Sequence, residues 1–332
     1  MRLTVRLEEN GVMFKVLIVG LGQIGLGYDL KLDSTQYILT HARAFQLHPD
    51  FCLVAGVDTN PKYRQIFSEY YKVNAFANLE KALREAQPDV VVVAVPTSLH
   101  KDIIQTTLGL SAPTAILCEK PLSWGIEDAR AIIGNCVAKN CQLYVNYIRR
   151  SDPGAIEIKR RLDQFLIQHP VKGVVWYSKG LFHTGSHFLN LLQYWLGEVL
   201  KTQIIQVGRQ WENIDPEPDV QITFSRGAMT FLAAQEENFS HYTIELIAAN
   251  GRLRYEQGGE IFFWQEAISS HLIDGYKVLS SFSEEAYAEL NCSQWHVVEQ
   301  LARSIKKLPA EICHGAEALK TLEVLSEIRG QL

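Results

Sequence analysis

The chain has 332 residues, 47% of them hydrophobic and 21% charged, with a formal net charge of −5. That length exceeds what one core usually supports, so two domains are expected. The mildly acidic balance argues against nucleic acid as the main partner, and the absence of a long apolar run argues against a membrane span.

Charges are scattered through the first residues with no apolar block, so no signal peptide is expected. Met13 stands directly before the first strong strand, and residues 1–12 read as an N-terminal extension. The six cysteines (Cys52, Cys118, Cys136, Cys141, Cys292, Cys313) form no CxxC pair. Several sit in apolar runs as buried thiols, so a reducing cytoplasm is expected. The Asn-x-Ser sequons at Asn238 and Asn291 then carry no meaning.

In chain order, β-rich runs fall at 14–19, 51–57, 74–77, 89–95, 115–118 and 142–147. Between them lie helical patterns at 38–47, 62–71, 79–85, 101–108 and 126–139. This alternation predicts an α/β fold: a Rossmann-like, doubly wound parallel sheet over residues 13–150. Beyond residue 150 the pattern changes. Helices are expected at 155–168 and 186–196, then strands at 173–178, 202–207, 220–224, 228–234, 242–248, 252–255 and 261–265. Turn pairs such as Asn250-Gly251 separate many of them, which predicts an open, mainly antiparallel sheet in an α+β domain over 151–332. Helices at 284–307 and 315–329 should return to pack on the domains.

Gly20-Leu21-Gly22-Gln23-Ile24-Gly25 follows the first strand and precedes a predicted helix at 26–30. In that context the glycines allow a tight turn, close approach of a pyrophosphate and close helix–sheet packing. The helix N-terminus adds free N–H groups and partial positive charge. Asp58 ends the second strand, where a carboxylate can bind ribose hydroxyls. Its charge favours NAD, while Lys62 nearby leaves NADP open. Residues 28–37 read as an insertion that lengthens the usual spacing.

Val95-Pro96-Thr97-Ser98-Leu99-His100 ends the fourth strand, and Cys118-Glu119-Lys120-Pro121-Leu122-Ser123 ends the fifth. With the glycine loop upstream and a Gly185-Ser186-His187 helix downstream, these segments resemble the Gfo/Idh/MocA family of oxidoreductases. The resemblance implies cofactor contacts from Gly20, Gly22, Gln23, Ile24, Gly25, Asp58, Pro96, Thr97, His100, Glu119 and Lys120. It implies a cis bond before Pro121, and a homodimer or homotetramer assembled through the C-terminal sheet. It also places Lys120 at the substrate hydroxyl beside the nicotinamide.

An ammonium there stabilises developing alkoxide, and a neutral imidazole at His187 takes the proton. Lys120 and His187 are therefore the expected catalytic pair. The family helix commonly reads D-x-G-x-H-x-x-D, whereas this chain has His183 and Asn190 at the aspartate positions. His183 either contacts substrate or packs at the helix start. A histidine pair four residues apart is also half a metal site, but no third ligand is identifiable, so no metal is expected. Tyr147, Arg149 and Arg150 are further substrate candidates, with Asn190. An arginine there could hold a carboxylate or phosphate, or form an interdomain salt bridge. Trp124 reads as packing under the nicotinamide or in the core. The expected activity is NAD(P)-dependent hydride transfer to or from a sugar, cyclitol or sugar derivative, nucleotide-linked forms included. Redox-assisted glycoside hydrolysis and a non-catalytic, dinucleotide-dependent regulatory role are the alternatives.

Overall fold

The computed structural model describes residues 13–332, so the extension expected over 1–12 lies outside the described residues. The first sheet contains β1 (Phe14–Val19), β2 (Phe51–Val57), β3 (Ala75–Phe76), β4 (Val90–Val93), β5 (Ala115–Cys118) and β6 (Gln142–Val145). All pair in parallel in the order β3-β2-β1-β4-β5-β6, the doubly wound arrangement that binds dinucleotides. Val90 to Val93 are all fully buried, as strands covered on both faces must be. The covering helices are α1 (His41–Leu47), α2 (Pro61–Tyr71), α3 (Leu79–Ala86), α4 (His100–Leu110) and α5 (Ile126–Ala138). Asn60 and Asn78 start α2 and α3 by accepting N–H bonds from Lys62 (2.9 Å) and Lys81 (2.8 Å).

The helix expected directly after Gly25 is a single wide turn. It is closed by Gly27 N–H to Gly22 O (3.1 Å) and Tyr28 N–H to Gln23 O (3.0 Å). The chain then departs from the helix path and resumes as α1 at His41, because the Thr40 hydroxyl caps that helix through Arg43 N–H (3.3 Å). The buried Asp29 carboxylate ties the inserted loop to α1. It accepts the N–H groups of Leu39 (2.7 Å) and Thr40 (2.9 Å) and the Thr40 hydroxyl (2.8 Å).

The second sheet follows α6 (Pro153–Asp163). Its strands are β7 (Val171–Tyr177), β8 (Val199–Trp211), β9 (Asp215–Phe224), β10 (Gly227–Ala233), β11 (Thr243–Ala248), β12 (Gly251–Glu256), β13 (Ile261–Ser269), β14 (Lys277–Leu279) and β15 (Glu284–Ala286). Helix α7 (Ser186–Leu196) separates β7 from β8, and α8 (Ser293–Ile305) and α9 (Gly315–Gly330) close the chain. The order is β14-β13-β12-β11-β7-β10-β9-β8, with β15 on β13. The sheet is mainly antiparallel but not a simple meander, since β7 inserts between β10 and β11 and runs parallel to β10.

Two helical expectations are corrected. The helix expected to reach residue 168 stops at Asp163, and Phe165 adopts a left-handed φ of 57° that ends the helical path. Residues 284–286, expected as helix, pair with Phe262 to Trp264 as β15; the open sheet edge overrides their helical propensity. Helix α8 returns to the first sheet, where Val297, Val298, Leu301 and Ala302 share one core with Val16, Ile18 and Val92. Among the described residues no helix is long and apolar enough to cross a membrane.

Candidate active site

The glycine loop lies at the carboxyl end of β1. Gly20 has φ of 99°, and a Cβ there would stand 2.4 Å from the Ala94 carbonyl oxygen. A Cβ on Gly25 would stand 2.1 Å from the Gly20 oxygen. The protein itself therefore demands these two glycines. Gly22 differs, because nothing lies within 4 Å of a Cβ built there. Its backbone faces open space, as approach by a pyrophosphate requires. Gln23 and Ile24 open the turn, so their N–H groups lack acceptors within it. The loop fits a dinucleotide.

Asp58 follows β2 beside this loop. One carboxylate oxygen accepts Leu21 N–H (2.8 Å) and the other Asn60 N–H (2.7 Å). The side chain thus holds the loop in shape as well as standing at the ribose end. Pro96 and Thr97 lie just beyond β4 on the same edge. His100 sits behind that edge, at the start of α4. It is fully buried, with Nδ1 3.1 Å from Leu122 O and Nε2 3.0 Å from Val95 O. Of its two readings, cofactor neighbour or helix-start residue, the structure gives it an internal position, with the ring between the carbonyl oxygens that follow β4 and β5 and donating to one of them when neutral.

The Lys120–Pro121 peptide is cis. Glu119 is turned away from solvent, its Oε1 contacting His41 Nε2 (2.7 Å) and accepting from Asn146 Nδ2 (2.6 Å). Burial pushes this carboxyl up, but the His41 bond and charge, with Asn146, outweigh it and hold the group below the usual range. Lys120 reaches across to the second sheet and donates to His183 O at 2.5 Å. Burial brings its ammonium down to about 8; Arg149 adds to that, while the Glu119 and Asp215 carboxylates oppose it.

His183 stands in a wide turn, Gly180–Gly185, that feeds α7. Two carboxylates of β9 hold this turn from behind. Asp215 accepts the N–H groups of Phe182 (2.9 Å) and His183 (2.8 Å), and Glu217 accepts that of Gly180 (3.1 Å). The His183 ring lies against Trp211, centroids 5.4 Å apart at 34°. Burial, then Lys120 and Lys179, lowers its pKa to about 4. His187 is one turn further on, edge-on to Tyr147 at 5.7 Å, and its Nδ1 is buried without a partner. Burial, then the charges of Lys120, Arg149 and His183, pushes it well below the usual histidine range. Both imidazoles are neutral near pH 7.

Lys120, Tyr147, Arg149, His183 and His187 therefore converge. Arg149 donates to the Tyr255 hydroxyl (2.6 Å) and to Gly258 O, with its guanidinium 4.9 Å over Phe188. Arg150 and Asn190 are corrected. Arg150 is buried in an ion pair with Glu317 of α9 (2.7 Å), the salt-bridge alternative. The Asn190 amide donates to Thr321 Oγ1 of α9 (3.0 Å), so it joins α7 to α9. Trp124 is 52% exposed and not in the core. It lines a cleft of about 600 Å³ with Phe182, His183, Trp211, Glu212, Ile214, Asp215 and Arg329. Among the described residues no three His, Cys, Asp or Glu side chains converge as a metal set. Sequence reasoning missed His41, Asn146 and Asp215. Each acts on a partner at least 27 residues away, with no local motif to mark it.

An open glycine loop on the carboxyl edge of a 3-2-1-4-5-6 sheet, beside a lysine shared with a second sheet, defines a dinucleotide-binding protein. Residues 14–147 match the family model described as "Oxidoreductase family, NAD-binding Rossmann fold"; this stretch belongs to the Gfo/Idh/MocA family and is its NAD-binding domain. The chain is 31% identical over 125 residues to an inositol 2-dehydrogenase of Rhizobium meliloti (strain 1021), covering 37% of this chain and 36% of that protein. It is 27% identical over 199 residues to inositol 2-dehydrogenase 2 of Saccharopolyspora erythraea, covering 56% of each. These alignments thus span about a third to about a half of the relatives' length. The WlbA dehydrogenase of Bordetella pertussis, solved with NADH and UDP-GlcNAcA, superposes with a TM-score of 0.74 at 16% identity, over 96% of this chain and 95% of that one. That likeness shows the shared two-sheet fold.

Proposed function

We propose that the chain is an NAD-dependent oxidoreductase acting on a secondary hydroxyl, or the matching ketone, of a sugar or cyclitol. The observation that carries this reading is Lys120. It leaves the NAD-binding domain and meets the Gly180–Gly185 turn that carries His183, just before His187 in α7. A bound nicotinamide supplies the hydride acceptor or donor.

Lys120 is the acid–base group. Its ammonium, brought down to about 8, lies near the pH at which proton transfer works best. Neutral Lys120 accepts the hydroxyl proton in oxidation, and the ammonium returns it in reduction. His187, with its Nδ1 buried without a partner, remains the second group that can take or relay this proton. Its neutral ring can also hydrogen-bond the reacting oxygen, and Tyr147 packs edge-on against it. Asp58, with no basic side chain donating to its carboxylate, favours NAD over a 2′-phosphate. Outward-facing apolar side chains of the second sheet, among them Trp176, Leu200, Ile205, Val207 and Ile247, support association of two or four copies through that sheet.

The test is turnover of NAD⁺ with a panel of hexoses, uronic acids and inositols, alongside NADH binding by fluorescence. Lys120→Met should lose about 10²–10⁴-fold in kcat and keep NADH affinity. Failure to bind either nicotinamide, or full turnover in Lys120→Met, refutes the assignment. Net NADH formation separates it from redox-assisted hydrolysis.

A further inference from the structure

A separate cavity, of about 230 Å³, lies between α7 and α9 toward the carboxyl end of α7. Asn190, Gln193 and Tyr194 form its α7 wall, Glu317 and Lys320 its α9 wall, and Arg150 enters from the turn Ile148–Ser151. The α7 residues recur at helical spacing, so one stripe of that helix faces the cavity. Lys120, Tyr147, His183 and His187 are not among its lining residues. By helix rise, Tyr194 stands about 10 Å beyond His187 along the axis. The volume is below the roughly 300–1,000 Å³ of pockets that take drug-sized ligands, so it suits one small ring.

The charges of the lining cancel in pairs. Arg150 is paired with Glu317 (2.7 Å) and Lys320 with Glu198 (3.3 Å). An ionic ligand would have to displace one member of a pair or leave a charge uncompensated. What the pairs leave over is dipolar. Arg150 and Asn190 are 7% and 2% exposed, and the Nε–H of the one and the Oδ1 of the other are buried without a hydrogen-bond partner. The amides beside them are already engaged: Asn190 Nδ2 donates to Thr321 Oγ1 (3.0 Å), whose own proton goes to Gln193 Oε1 (2.7 Å). One unpartnered atom is only a donor and the other only an acceptor, and native interiors rarely leave either unmet. A hydroxyl answers both, because it accepts and donates through one oxygen and brings no charge.

From this arrangement we propose that the cavity is a second binding site, distinct from the reaction centre, and that it holds one uncharged polyhydroxylated ring. Arg150 Nε–H donates to one ring hydroxyl, and Asn190 Oδ1 accepts from one. The Tyr194 ring, 4.6 Å beneath the Arg150 guanidinium, and the Glu317 bond fix the plane of that guanidinium and so the direction of its Nε–H. The asparagine at 190 fits the same logic. An aspartate there would tip a balanced lining to net negative, whereas the amide keeps an acceptor and carries no charge. The site stands beside the oxidoreductase reading and does not depend on it.

The experiment is calorimetric titration of the full chain without added dinucleotide, so that no turnover consumes the probe. Myo-inositol, scyllo-inositol, glucose and xylose are compared with serine as a zwitterion and succinate as a dianion. At least one uncharged ring should bind, and more tightly than either ionic probe. The Lys320 side chain is 61% exposed at the mouth. Lys320→Trp should fill that mouth and weaken binding about tenfold or more, as should Asn190→Leu, which removes the acceptor at nearly constant volume. Lys120→Met, at the reaction centre, should leave this affinity within about twofold. Crystals soaked with the tightest ring should show it between α7 and α9. The thermal transition of each variant separates loss of the fold from loss of the site, and Lys320→Trp, on the surface, carries the test if Asn190→Leu does not fold. Failure of every ring to bind, an affinity that survives the cavity substitutions, an ionic probe that binds more tightly and is expelled by Lys320→Trp, or ordered waters only in the cavity of soaked crystals overturns the inference.

Discussion

Gly180→Ala is expected to be among the most damaging single-methyl changes near the site. Gly180 has φ of 78°, and an added Cβ would stand 2.2 Å from both Cγ and Oδ2 of Asp215. The left-handed backbone alone costs a non-glycine residue about 1–2 kcal/mol. The carboxylate must also move, which strains or breaks the bonds it accepts from Phe182 (2.9 Å) and His183 (2.8 Å). Charged hydrogen bonds are worth about 1.5–3 kcal/mol each, so with partial relaxation the total destabilisation is about 3–5 kcal/mol. That is a large share of the roughly 5–15 kcal/mol by which domains are stable. Since His183 O is the acceptor for Lys120, kcat should fall in parallel. Urea unfolding of the variant, beside Gly134→Ala as a control, measures the effect. Gly134 lies in α5 with no atom within 4 Å of a built Cβ, so alanine there should stabilise by about 0.5–1 kcal/mol. A Gly180→Ala protein within about 0.5 kcal/mol of wild type refutes the account, because the backbone penalty by itself exceeds that.

Three further outcomes are expected. Lys120 lies below its free value, so its neutral form grows as pH rises through about 8; oxidation should speed up over that interval and reduction should slow. Because Arg149 lowers this group and Asp215 raises it, Arg149→Met should move the midpoint of the pH–rate curve up and Asp215→Asn should move it down, and a midpoint fixed in both variants contradicts the assignment. Asp58→Ala removes the acceptor for Leu21 N–H and should weaken NADH binding about tenfold or more in a fluorescence titration. His100→Ala should destabilise the chain by about 2–4 kcal/mol in urea while leaving NADH affinity nearly unchanged; a large loss of affinity would restore His100 to the cofactor site.

The first sheet was legible because its strands are buried on both faces and advertise this as apolar runs. Phe14–Val19 and Ala115–Cys118 coincide with the runs seen in sequence. The site was legible where it is carried by contiguous motifs, as in Gly20–Gly25 and Glu119-Lys120-Pro121. It was illegible where a side chain answers to a distant partner. Arg149 and Arg150 are neighbours, yet one reaches Tyr255 and the other Glu317, a divergence set by the turn Ile148–Ser151 that contains both. Asn190 sits in the place of a family aspartate, but its amide serves Thr321, 131 residues away. Residues 284–286 read as helix because the strand edge that captures them is itself built from residues 262–264.

The return of α8 to the first sheet has a consequence for biosynthesis. Val297, Val298, Leu301, Ala302 and Ile312 fill the same core as Val16, Ile18, Phe45 and Val92, and Ser304 hydrogen-bonds the Tyr144 hydroxyl of β6 at 2.7 Å. Domains generally fold as units, N-terminal first, while the chain is being made. Here the NAD-binding sheet can pair all six strands once residue 145 has emerged, but one apolar face waits uncovered until residues 293–312 leave the ribosome. At roughly 5–20 residues per second, that face is exposed for on the order of ten seconds or more. The nascent chain is therefore a client for chaperone capture during that interval, and ribosome-stalled chains ending near residue 280 should be more protease-sensitive within residues 14–145 than the released protein.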